Sequence, residues 1–309
     1  MMFIPENFKQ DMLIVHGEEK ASAWLASLPA ILAHCAERWQ LTIFPPFPNL
    51  SFHYVAPAER ADGTPVVVKV VSPTGEFAEE VEALHLFQDG GMVRLLEVDF
   101  EREVMLLERL LPGTLLSQLV PEQDERAISI LISVMKRIWR PAPAQHVFPT
   151  VENWGKGLER LRTQYDGGYG PFPPRLVQEA EDLFSVLNAS APQHMLLHGD
   201  LHHENILLAG NEWRAIDPKG VVGDPGYETG VLFYNPMPVL FHVPDVRTLL
   251  ARRVDQLAEE LGMERARIRG WGLAQSVLSA WWHMEDDPTA ELPHDVLACA
   301  EILAGMKIE

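Results

Sequence analysis

The sequence predicts an α+β fold in two lobes, a small antiparallel sheet with one helix followed by a larger, mainly helical half. Three observations predict it. Short apolar or alternating runs of the kind that form strands crowd between residues 41 and 110, long amphipathic helical patterns fill the chain after residue 113, and Pro112 and Gly113 mark a turn between the two. The expected division is therefore a first lobe at 1–108, a connection at 109–113 and a second lobe at 114–309.

Residues 18–40 carry helical spacing at Trp24, Leu25, Leu28, Ile31, Leu32 and Cys35, with Pro29 expected to start, kink or divide the helix. LTIF, LSFHYVAP and TPVVVKVV then run as strands, and Asp62 with Gly63 supplies a turn between the last two. A helix from about Phe77 to Gln88 precedes strands near VRLLEVDF and EVMLLERL. Beyond the connection, PEQDERAISILISVMKRIW, NWGKGLERLRTQY, PPRLVQEAEDLFSVLNAS, VRTLLARRVDQLAEELGM and ARIRGWGLAQSVLSAWWHM all have helical periodicity. The proline-rich stretches at 141–149 and 171–174 fit loops within the second lobe.

HGDLHHENILLAGNEWRAIDPK, residues 198–219, carries the chemistry. HMLL at 194–197 reads as a buried strand, HGDLHHEN as a loop, and ILLAGNEWRAID as two strands joined at Gly210 and Asn211, a hairpin that would return Asp217 to the loop. Phosphoryl transfer asks the protein mainly for positioning, with oxygen ligands for magnesium and one carboxylate aimed at the attacking hydroxyl. Asp200 suits the catalytic task. Asn205 and Asp217 offer the hard oxygen donors that Mg2+ prefers over thiolate or imidazole. His198 and His202 have the spacing of two zinc ligands on a helix, but the segment reads as strand and loop with no cysteine near, so His198 is expected to brace the loop instead.

The HGD triplet, the Asn five residues after its Asp, and the later IDP resemble the aminoglycoside phosphotransferase family, in which glycine stands at position 199 where protein kinases usually carry arginine. IDPKGVVGDPGYETG followed by Asn235 and Pro236 looks most like the streptomycin 6-kinase and hydroxyurea phosphotransferase branch. The resemblance runs from about residue 40 to 290. It implies a protein-kinase-like two-lobe fold, ATP and Mg2+ as cofactors, and transfer of the γ-phosphate to a hydroxyl of a small molecule, first a streptomycin-type aminoglycoside, then hydroxyurea or another small compound. A nucleotide-binding pseudokinase is the alternative from another class.

A lysine inside a strand is expensive to bury without an anion, so Lys69 in VVVKV either points to solvent on the pleat, its reading when taken alone, or meets an anion in a cleft; with that cluster downstream it is expected to bind the α and β phosphates. Its partner is Glu80, beside the apolar face of Phe77, Val81, Leu84 and Phe87. Leu107 to Leu110 resembles the hinge where an adenine edge meets backbone, so Glu108 and Leu110 are placed there by position; an ordinary strand end fits the same residues. PPFPNLS at 45–51 departs from the kinase pattern in having no glycine, and Asn49 and Ser51 would offer side-chain donors to phosphate unless the segment is only a turn. For a guanidinium-bearing acceptor, Asp224, Glu228, Glu285, Asp286 and Asp287 form a candidate carboxylate set with Trp281 and Trp282 as a wall. Asp224 would equally support the loop, and the EDD run would equally be a solvated helix end. Lys219 either neutralises the transferred phosphate or lies on the surface.

Charge and composition bound the partners. Lys and Arg number 25 against 44 Asp and Glu, a formal net charge of −19 that argues against nucleic acid and anionic membranes as partners; it would favour a cationic acceptor, although an acidic surface that keeps the protein soluble is the main reading of such a charge. Two distant cysteines, Cys35 and Cys299, in helical apolar patterns predict buried free thiols. The N-terminal MMFIPENFKQDMLIVHG lacks a basic region leading into a sustained apolar segment, and no run approaches the roughly 18 apolar residues of a membrane span. A soluble cytoplasmic protein, monomer or homodimer, is the expectation.

Overall fold

The computed structural model describes residues 4–88, 90–287 and 289–307, so the first three residues of the N-terminal segment lie outside them. The chain forms two compact units, Met1–Gln88 with Val93–Gly113, and Asp89–Met92 with Thr114–Glu309. Among the described residues no helix is long and apolar enough to cross a membrane.

The first unit opens with α1 (Glu6–His16) and α2 (Glu18–Arg38), followed by β1 (Leu41–Ile43), β2 (Tyr54–Arg60), β3 (Pro65–Val70), α3 (Phe77–Phe87), β4 (Leu95–Asp99) and β5 (Val104–Glu108). The strands form one antiparallel sheet in the order β1-β2-β3-β5-β4. Strand alternation decides what each face holds. Val66, Val68 and Val70 of β3 join Phe8, Met12, Leu28, Leu32 and Cys35 of the first two helices in one core, so the period of two turns Lys69 to the opposite face, toward α3. α2 runs on through Pro29, so the proline neither starts nor divides the helix. Proline removes one backbone hydrogen bond there, while Leu28, Leu32 and Cys35, all buried, hold both halves of the helix to the same core. LSFH at 50–53 is loop rather than strand, and β2 begins only at Tyr54.

β6 (Pro112–Leu115) carries the chain onward to α4 (Asp124–Ile138), β7 (Arg140–Pro141), α5 (Val151–Gly155), α6 (Gly157–Gln164), α7 (Pro174–Ala189), β8 (Met195–Leu197), β9 (Ile206–Ala209), β10 (Glu212–Ala215), β11 (Val221–Gly223), α8 (Val246–Leu261), α9 (Arg265–Asp286) and α10 (His294–Ala304). NWGKGLERLRTQY, read as one helix, is divided between α5 and α6. α9 is the central helix: from Gly270 to Leu278 every residue is buried. The 3-10 segment Pro225–Phe233, buried throughout, lies against it, and at Gly226 a Cβ would stand 2.7 Å from Cδ1 of Trp271, so the close approach needs glycine. β8 is flanked by β11 and β7, and β9 and β10 form the expected hairpin, with Ala209 opposite Glu212. Both cysteines are buried free thiols.

Candidate active site

In the first unit, Lys69 is 4 % exposed and its Nζ donates to Glu80 Oε1 at 2.6 Å. Glu82 of the same helix faces solvent and Glu79 is half-buried. A buried ammonium is tolerable only beside its counter-charge, and the pair fixes the lysine's amine at one end of α3. Sequence reading missed a neighbour. His53, buried where the 45–53 loop enters β2, accepts the Ser72 N–H through Nδ1 at 3.2 Å, and one of its ring nitrogens lies within 4.8 Å of a Glu80 oxygen. A single histidine in a stretch read as alternating strand gave no signal.

The loop before it continues to pair with β2 through Phe44 N–H to Pro57 O and Phe47 N–H to Val55 O, and it leaves Asn49 and Ser51 exposed. Glu108 is committed elsewhere in its strand: its N–H donates to Arg94 O at 3.0 Å, and its carboxylate receives Arg94 N–H at 2.9 Å and Arg94 Nε at 3.0 Å. The carboxylate and amide of Glu108 are thus spent on Arg94. Leu110, beyond the strand's end, is buried and outside any ladder.

In the second unit, the HGD loop is built on two buried braces. His198 is inaccessible; its Nδ1 accepts the Asp200 N–H at 3.2 Å and its Nε2 donates to Ile216 O at 2.8 Å, the tautomer that those two partners require. Burial pushes the imidazole down to about 4, so it is neutral, and with both nitrogens engaged it has no lone pair for zinc. Glu228 lies 1 % exposed, taking the His198 N–H at 2.7 Å and the Gly199 N–H at 2.9 Å on its two oxygens. Burial pushes its carboxyl up to about 7, and the two amides draw it partly back. Gly199 itself has φ +91, and a Cβ there would stand 2.8 Å from Cη2 of Trp154, so both backbone conformation and space demand glycine.

That frame leaves Asp200 as a half-exposed carboxylate, 39 % accessible, with His202 Nε2 at 3.7 Å. Asn205 sits at the end of a 3-10 turn and gives its Nδ2 to Asp200 O at 2.9 Å, with His202 Nε2 at 3.2 Å. With the amide nitrogen spent, Oδ1 is what this side chain has to offer a cation. The hairpin brings the 216–219 stretch back: Ile216 N–H donates to Asn205 O at 2.9 Å and Lys219 N–H to His198 O at 2.9 Å. Between them Asp217 turns in the left-handed region at φ 61, half-buried. Asp200, Asn205 and Asp217 therefore sit on one hydrogen-bonded loop and hairpin, and their oxygen donors fit a magnesium ion rather than a soft metal.

The candidate acceptor set needs correction. Asp224 is fully buried, with Oδ1 accepting Gly226 N–H at 2.9 Å and Oδ2 accepting Trp271 Nε1 at 2.7 Å and an Arg267 guanidinium N–H, so no oxygen remains for an acceptor. Glu228 is removed from the acceptor for the reason already given. Glu285 is held bidentate by Arg160 at 2.6 and 2.8 Å, and Asp287 takes the Thr289 N–H and hydroxyl in a local turn. Asp286 is exposed at the end of α9. Trp281 is 3 % exposed among Tyr165 and Phe172, so it walls nothing; Trp282 is half-buried, edge-on to Trp154 at 5.6 Å. Trp154, missed in the sequence, is the aromatic side chain against the loop.

Known proteins are similar to this chain in sequence and in fold. The profile of the family described as aminoglycoside/hydroxyurea antibiotic resistance kinase matches residues 46–287. A streptomycin 6-kinase of Streptomyces griseus is 33% identical over 289 residues, 93% of this chain and 93% of that protein. A hydroxyurea phosphotransferase of Kitasatospora aureofaciens is 32% identical over 298 residues, 94% of this chain and 83% of that protein. Among solved structures, a thermostable mutant of aminoglycoside phosphotransferase APH(4)-Ia, in a ternary complex with ADP and hygromycin B, aligns with a TM-score of 0.65 at 15% identity, covering 90% of this chain and 99% of that one. That likeness establishes a protein-kinase-like α+β fold. With the profile spanning most of the sequence and relatives above 30% identity along nearly all of it, the chain belongs to the aminoglycoside/hydroxyurea antibiotic resistance kinase family.

Proposed function

We propose that the protein transfers the γ-phosphate of ATP to a hydroxyl of a streptomycin-type aminoglycoside. The observation that carries the reading is the loop itself: Glu228 and His198 spend their polar atoms on backbone, and Asp200 is left as the half-exposed carboxylate among them. Asp200 orients the acceptor hydroxyl and takes its proton as the bond to phosphorus forms. Asn205 and Asp217 hold Mg2+, which when bound neutralises charge on the phosphate oxygens. Lys69, fixed by Glu80, binds the α and β phosphates, and the backbone at Leu110 meets the base. The net charge of −19 supports a cationic acceptor over a neutral one. Two buried thiols agree with a reducing, cytoplasmic setting.

Nucleotide turnover measured with ATP, Mg2+ and each of streptomycin and hydroxyurea tests this. The expected result is ADP release that depends on streptomycin and disappears in Asp200→Ala. Nucleotide binding without turnover for either acceptor, unchanged in Asp200→Ala, would instead leave a regulatory nucleotide-binding protein.

A further inference from the structure

Trp154 is held beside the catalytic loop by more than its own packing. α5 begins with a reciprocal cap, Asn153 N–H to Thr150 Oγ1 at 3.1 Å and Thr150 N–H to Asn153 Oδ1 at 3.1 Å. Just before it, Pro149 O accepts the Val222 N–H at 2.9 Å, which ties α5 to β11, and β11 pairs with β8, the strand that feeds the HGD loop. The short helix is therefore registered to the loop through backbone. Its indole reaches Gly199, the residue before Asp200, and Trp282 stands edge-on to it at 5.6 Å and 90°. Tyr227, fully buried, lies behind it at 5.8 Å.

Trp154 and Trp282 nonetheless keep part of their surface open. Among the described residues Arg38 lies over Trp39 and Arg162 over Tyr169, and neither guanidinium covers Trp154 or Trp282. Lys156, two residues after Trp154, is exposed, and Arg160 on α6 is held by Glu285. Asp224, Glu228, Glu285 and Asp287 are all engaged within the protein, so carboxylates that seemed suited to a cationic acceptor have other partners.

We propose that Trp154 is a specificity-determining residue: the accessible part of its half-buried indole stacks on a planar cationic group of the acceptor beside Asp200, with Trp282 setting its angle. Guanidinium suits this, being planar, weakly hydrated and attracted to the face of an indole. The inference rests on the streptomycin-type reading of the acceptor.

Steady-state kinetics with streptomycin on wild type, Trp154→Ala and Trp154→Phe test it. The expected result is a streptomycin KM raised about tenfold in Trp154→Ala and about threefold in Trp154→Phe, with the KM for ATP within about twofold of wild type, the order expected for a partly desolvated cation–π contact. Streptomycin titration should also change tryptophan fluorescence in wild type and lose that change in Trp154→Phe, a readout that survives if the alanine variant does not fold. A wild type that phosphorylates streptomycin while the folded variants keep its KM, or while Trp154→Phe keeps the full fluorescence change, overturns the role of Trp154 alone. A wild type that phosphorylates hydroxyurea and neither binds nor phosphorylates streptomycin overturns the acceptor reading first, and the stacking role with it.

Discussion

Asp200 and Asp217 differ from Asp224 and Glu228 in their surroundings far more than in their sequence neighbourhood. The first two lie on a loop and a hairpin end, partly exposed, where His198 holds the Asp200 amide and the backbone on either side of Asp217 is tied at Ile216 and Lys219. The second two are fully enclosed, and their oxygens receive N–H groups from Gly226, Trp271, His198 and Gly199. An acid can serve chemistry only if its neighbours have been satisfied by some other group. In this loop Glu228 provides that satisfaction for the His198 and Gly199 amides, while Asp224 is consumed by Gly226, Trp271 and Arg267, so carboxylates do two opposite jobs within one stretch of chain.

The sharpest way to break this comparison is to neutralise one member of each pair. Asp200→Asn should lower turnover by about 10²–10⁴-fold, the usual worth of a positioned general base, while its melting temperature stays near that of wild type. Asp224→Asn should do the reverse. It leaves the Arg267 guanidinium facing a neutral amide in a buried site, which costs roughly 3–5 kcal/mol of stability, while the streptomycin KM of the folded fraction stays within about twofold. Kinetics and thermal melts on the same preparations decide it; a raised KM with unchanged stability in Asp224→Asn would return that carboxylate to the acceptor.

A second, smaller test uses the two braces of the loop against each other. Glu228 titrates near 7 when folded against an ordinary 4.5, so between those values the folded state holds a proton that the unfolded state has lost, and stability from this group falls as pH rises. His198 has the opposite sign. It titrates near 4 when folded against an ordinary 6.5, the unfolded chain holds the extra proton between them, and stability rises with pH. His203, fully buried and also pushed down by burial, adds to the rising side. Glu228→Gln should therefore steepen the rise in stability between pH 4.5 and 6.5, and His198→Gln should flatten it. Denaturant midpoints across that range are the measurement; parallel profiles for the two variants would mean that the braces are not buried as described.

The contrast also marks what a sequence discloses. Periodicity separates the sheet from the helices, whereas the pairing of Lys69 with Glu80 is legible only with the HGD cluster downstream, since VVVKV by itself reads equally as a lysine turned to solvent. HGDLHHEN discloses the loop because its members lie within a few residues of one another. Asp224 could be read as a structural support or as an acceptor contact, and the sequence does not choose between them because its partner Arg267 comes 43 residues later, just as Trp139 meets Glu228 across 89. α1 was missed because its segment was read only for targeting, and Pro29 does not divide α2 because the core that holds both halves of the helix includes strands further along. Trp154 gave no signal for a similar reason, since its value depends on Gly199 being folded against it.

Glu285 makes the smallest expected effect and the most direct check on where the acceptor lies. It sits in the EDD run that the sequence offered as a cation site, yet Arg160 grips both of its oxygens, with the two side chains 53% and 28% exposed. An exposed pair of this kind contributes at most about 1 kcal/mol, because solvent screens the charges and ordering two long side chains offsets the gain. Glu285→Gln should then shift the melting temperature only slightly and leave the streptomycin KM within about twofold. A tenfold rise would mean that streptomycin displaces Arg160 to reach this carboxylate, which would move the acceptor from the indole at Trp154 toward the end of α9.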